Sequence, residues 1–131
     1  MNNERSIRMS YKIIEIIDEH NVLVNFGGEE GAEEGMLLNI IIPGEPVIID
    51  DKNYGTFDRI KETIVIETVY PKFSLCQKQI TTTYDLFSPF TNLKRNSTQI
   101  ARININPSQK TNRQLPLDAP VVVGDIVVKK Y

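Results

Sequence analysis

The feature that most constrains this chain is a succession of short β-branched runs, each cut off by glycine, proline or a polar cluster. YKIIEII, VLVNF, MLLNIII, VII and IKETIVIETVY follow one another between Tyr11 and Tyr70. β-Branched side chains are stiff and suit a pleated surface, so these runs predict strands. The spacing in Tyr11 to Ile17 would also fit a helix beginning upstream at Ile7; its four isoleucines decide for a strand. Asp18 to Asn21 reads as a hairpin turn, after which Val22, Val24 and Phe26 share a face. Gly27 to Gly35, GGEEGAEEG, reads as a shaped loop or one helical turn. Met36, Leu38, Ile40 and Ile42 then line one face, with Leu37 and Ile41 making the other partly apolar. Pro43-Gly44 marks a tight turn, Val47 to Ile49 a short strand, and DDKNYG another turn with positive φ at Asn53 or Gly55.

The best alternation lies between Thr56 and Tyr70. Ile60, Ile64, Ile66 and Tyr70 fall on one side, and Lys61, Thr63 and Glu67 on the other. Pro71 cannot donate to a ladder and marks an edge or a bulge, beyond which the apolar phase moves to Phe73 and Leu75. From Gln77 to Pro120 polar residues dominate, and only ARININ, with Ile103 and Ile105, reads as a strand. PVVVGDIVV closes the pattern, with Ile126 to Val128 as a last strand pairing early in the sheet. Short strands at spacings near ten residues are the mark of a small barrel or sandwich. The expectation is an all-β fold, a six- to seven-stranded closed or partly open barrel with a long irregular excursion before the last strand. Residues 1–131 form a single domain on this reading, with 77–119 a polar excursion or arm within it.

Few chemistries fit the composition. One cysteine, Cys76, leaves no internal disulfide and no multi-cysteine metal site. His20 is the single histidine, which removes mechanisms that need two imidazoles. No apolar run approaches the roughly 18 residues of a membrane span, and MNNERSIRMSYK has no secretory core, so a soluble cytoplasmic protein without membrane partners is expected. The net charge of −2 hides an asymmetry: thirteen acids face three bases between Ile13 and Glu67, while nine bases face three acids from Thr68 onward. Such polarity could steer a charged partner or drive self-association.

Glu29, Glu30, Glu33 and Glu34 lack the alternating oxygen ligands of a calcium loop, and read as a solvated turn. Asp51, Asn53 and Glu62 match three EF-hand offsets, but Gly55 and Thr56 stand where a ligand and the required glycine belong. The glycine loop lacks a GK[ST] ending, and its carboxylates repel phosphate. Cys76 would need a base to act as a nucleophile, and His20 lies on a distant turn. No catalytic residue, metal or cofactor is therefore expected. The polar excursion interleaves Tyr84, Phe87 and Phe90 with Lys94, Arg95 and Arg102. That pattern suits partner contact, with protein ahead of single-stranded nucleic acid because the pI is near 5.4.

Three phrases together, VLVNFGGEEGAEEGMLLNI, YGTFDRIKETIVIETVYPKFSLCQ and VVVGDIVV, resemble small bacterial β-barrel modules like the C-terminal domain of flagellar assembly protein T. The matching positions are Gly27, Gly31 and Gly35, then Gly55, Phe57, Ile60 and Lys61, and finally Gly124, Asp125 and Val127. Met36 departs from the family form, which carries an aspartate after the last loop glycine. The resemblance implies a non-catalytic module for protein–protein interaction or assembly, joined to an unidentified protein or to itself. The excursion and an exposed barrel edge are the expected contact surfaces. The alternative is an OB-like barrel for single-stranded nucleic acid.

Overall fold

The computed structural model describes residues 9–78 and 100–130. The chain divides into two compact units, one made of Met1–Gln79 with Leu115–Tyr131, the other of Ile80–Gln114. Eight strands are found among the described residues, all in the first unit: β1 (Tyr11–Ile16), β2 (Val22–Val24), β3 (Leu37–Ile42), β4 (Pro46–Ile49), β5 (Lys52–Thr56), β6 (Arg59–Val69), β7 (Ser74–Lys78) and β8 (Ile126–Lys129). Six of them close into an antiparallel barrel in the order β1-β2-β7-β6-β3-β8, and β4 and β5 form a separate hairpin. The fold is all-β, as the sequence predicts, and no helix among the described residues is long and apolar enough to cross a membrane.

Alternation in each barrel strand sends one set of side chains inward. Ile13, Val24, Phe26, Leu38, Ile40 and Ile66 are essentially inaccessible, and the Tyr11 and Phe26 rings meet at 4.4 Å between centroids. Burying a large aliphatic or aromatic side chain stabilises by about 1.5–3 kcal/mol. Three bulges bend the strands enough to close the sheet. They leave Ile14, Lys61 and Glu67 as extra residues against β2, β3 and β7. The bulge at Lys61 reverses the alternation, so Ile60 does not join Ile64 and Ile66 inside but points outward, 53% exposed. The bulge at Glu67 turns Tyr70 outward in the same way, and there its ring stacks on Phe73. The phase change therefore precedes Pro71, and β7 buries Ser74 and Cys76 rather than Phe73 and Leu75. Ser74 is tolerated inside because its Oγ donates to the Phe26 carbonyl.

Two further expectations are corrected, the DDKNYG turn and the ARININ strand, while that of positive φ at Asn53 or Gly55 is met at Gly55. DDKNYG is not one turn: Asp50 and Asp51 alone make it, both at positive φ, and Lys52–Thr56 runs on as β5. Gly55, at φ +107°, takes the left-handed conformation within that strand; Asn53 does not. ARININ forms no strand. Ile103 is 81% exposed, and the regular structure found nearby is a 3-10 turn, Pro107–Gln109, capped by Asn106.

β8 reaches the barrel through a segment that β6 holds in place. The Lys61 ammonium donates to the Pro120 carbonyl (2.7 Å) and to Asp125 Oδ2 (2.8 Å), with both side chains largely buried. Arg59 Nε donates to the Pro116 carbonyl. The same Asp125 oxygen accepts from Val122 N–H and so shapes the turn in which Gly124 takes φ +95°. Removing one member of a buried pair strands the other's charge. Lys61→Met is therefore expected to cost about 3 kcal/mol in urea unfolding, with the Lys61→Met/Asp125→Asn double variant recovering part of it. A loss near zero would show that the pair holds nothing.

Candidate functional site at the open end of the barrel

The two ends of the barrel are built differently. At one end the Gly27–Gly35 loop folds against the β6–β7 connection. Gly28 N–H donates to the Tyr70 carbonyl and Glu29 N–H to that of Pro71, and Ala32 joins the core. A Cβ on Gly27 would lie 2.4 Å from Phe73 N, so no other residue fits this crossing. A 3-10 turn, Gly28–Glu30, shapes the loop, and Glu30 Oε1 accepts from Gly27 N–H. Gly31 and Gly35 take positive φ.

The opposite end gathers the β1–β2 turn, the roots of the β4–β5 hairpin, the segment leading to β8, and the C-terminal end of β7. Here a cavity of about 250 Å³ opens into the barrel. Val22, Ile40, Ile64 and Cys76 form its floor, and Ile16 and Val121 its walls. Asp18, Glu19, His20, Glu62 and Lys78 stand round the rim. Lys78 pairs with Glu62 at 3.1 Å. Asp18 Oδ1 accepts from the N–H groups of His20 and Asn21 and from Asn21 Nδ2. These bonds, that from His20 foremost, hold its carboxyl below the usual range, so it stays ionised. Gln77 Nε2 donates to Asn21 Oδ1 and ties the turn to β7.

The expected distance between Cys76 and His20 is corrected, because both line this cavity. Their chemistry is nevertheless not that of a nucleophile and its base. Cys76 is fully buried, its Sγ contacts the Ser74 carbonyl at 3.9 Å, and burial pushes the thiol up to about 12. The side chains at the EF-hand offsets are dispersed: Asp51 sits in the hairpin turn, the Asn53 amide Oδ1 accepts from Gly55 N–H, and Glu62 faces Lys78. Among the described residues no three His, Cys, Asp or Glu side chains are placed to hold a metal ion.

Tyr84, Phe87, Phe90, Lys94 and Arg95 lie outside the described residues. Arg102, in the Ile80–Gln114 unit, is exposed. An exposed barrel edge was expected as a contact surface, and closure removes it: each barrel strand has a partner on both sides. Sequence reasoning considers Glu62 only as an EF-hand offset and does not single out Lys78 or the pairing of the two. They approach one another because β6 and β7 pair with Ile64 opposite Lys78, a register that the bulge at Glu67 determines.

The buried thiol makes a pH prediction. Its folded value lies above the ordinary 9, so the folded state holds its proton more tightly than the unfolded chain. Stability is fully present below pH 9 and falls as pH rises towards 12. Tyr11, raised by burial and then by Glu30, acts in the same direction. In thermal melts across this range, Cys76→Ala should flatten the alkaline decline in part. An unchanged decline would show that Cys76 ionises as freely in the folded state as in the unfolded one. No protein-family model matches the chain, and no curated protein matches it.

Proposed function

We propose that the protein is a non-catalytic module for protein–protein interaction or assembly, and that the β4–β5 hairpin is its contact element. The observation that carries this reading is the exposure of large apolar side chains on an element the core does not need. Ile48, Ile49 and Tyr54 are 54%, 48% and 61% exposed, and Phe57 and Ile60 continue the apolar surface at the hairpin's root. The Lys52 ammonium lies 4.8 Å from the Tyr54 ring centroid, which places a cation beside an aromatic anchor of the kind that interfaces favour. Ile49 shares a face of the hairpin with Lys52 and Tyr54, and Ile48 lies on the other, so both faces present apolar side chains of the kind that interaction surfaces use.

The hairpin also carries the free strand edges found among the described residues. Pro46 and the irregularity near Gly55 blunt them, which favours recognition through side chains over strand addition. The nucleic-acid alternative has less support. The described barrel residues carry fifteen carboxylates and eight cationic side chains, a balance that opposes phosphate.

A photoreactive residue at position 48 of the full chain, expressed in the native cell, tests the reading. A discrete protein adduct is expected from position 48 and not from exposed Lys12. Tyr54→Lys should weaken it roughly tenfold, the size of one interface anchor, while leaving the melting temperature unchanged. No adduct from the hairpin would overturn the assignment.

A further inference from the structure

We propose that the open end of the barrel binds a small organic cation with an apolar body, an arylalkyl amine being the simplest representative. The cavity supplies the first half of this inference. At about 250 Å³ it falls below the ~300–1,000 Å³ of sites for drug-sized ligands, so its occupant is small. Val22, Ile40 and Ile64 offer it hydrocarbon only, and the Cys76 thiol is turned to the Ser74 carbonyl. Among the described residues no buried side-chain polar atom lacks a partner, so the floor asks nothing of a ligand except apolar surface.

The rim supplies the second half. Lys78 is neutralised by Glu62, which leaves the charges of Asp18 and Glu19 facing the same opening. Asp18 spends one oxygen on its own turn but keeps its charge. A cation placed over the apolar floor meets a net charge of −2 in a setting where low-dielectric walls concentrate the field. An anion of the same shape meets that charge as repulsion, and a neutral ligand gains nothing from it. The opposite end is packed by Ala32 and the Gly27–Gly35 loop.

The test compares three probes of one shape on the full chain by NMR-monitored titration: 2-phenylethylamine, 2-phenylethanol and 3-phenylpropionate. The amine should bind saturably and roughly tenfold more tightly than the carboxylate, with the preference shrinking as salt is added. Val121→Trp, which fills the cavity from a loop, should abolish binding of the amine. Glu19→Lys, on an exposed turn, should remove the preference for the amine while 2-phenylethanol binds as before, and it keeps the test open if the tryptophan variant does not fold. Equal binding of amine and carboxylate, no saturation by the amine, or unaltered binding to folded Val121→Trp would each overturn the proposal.

Discussion

Closure of the sheet by β8 is the constraint on which the rest depends. This short strand pairs with β1 through Tyr11–Val127 and Lys12–Ile126, and with β3 along its other side from Leu38–Lys129 to Ile41–Ile126. Without it, β1 and β3 would each present an unpaired edge, and the inward faces of Ile13, Leu38 and Ile40 would open to water. An unpaired apolar edge is a template for another chain. The hydrogen bonds that secure β8 are few, so the approach to it matters as much as the strand itself. Lys61 and Arg59 hold that approach through the carbonyls of Pro120 and Pro116 and the Asp125 carboxylate.

The bulge at Lys61 serves two purposes at once. It adds the bend that closure needs, and it frees one side chain from strict alternation to reach Asp125 instead of standing in the ladder's regular face. The same reversal places Ile60 outside, beside the hairpin's root, where it extends the exposed apolar surface. A device that stabilises the barrel thus also shapes its outer face. The division between a sealed end and an open end follows from similar local rules. Gly27 permits backbone-to-backbone contact at one end, whereas the polar Asp18–Asn21 turn at the other cannot be drawn over the core.

Much of the barrel was legible in the sequence because periodicity and punctuation act locally. Val24, Leu38, Ile40, Ile64 and Ile66 are among the residues that alternation selects, and each is buried. What stayed hidden is non-local. The bulges at Lys61 and Glu67 are set by the partner strands, and nothing in IKETIVIETVY marks where an extra residue will fall. β5 was obscured because KNYGT has turn composition, yet the paired positive φ values at Asp50 and Asp51 make the reversal two residues earlier. ARININ alternates well but finds no ladder, a reminder that alternation proposes a strand and a partner must complete it. The cavity could not be foreseen because its floor and rim come from five separate segments that only closure brings together.

The place of β8 in chain order has a consequence for synthesis. Ribosomes deliver strands one after another, and β1 to β7 emerge well before residues 126–129. During that interval β1 and β3 lack the strand that pairs with both, and an unpaired edge is open to capture by a neighbouring chain. Arrival of the last strand gives β1 and β3 their missing partner together, and shelter of the nascent chain matters most until then.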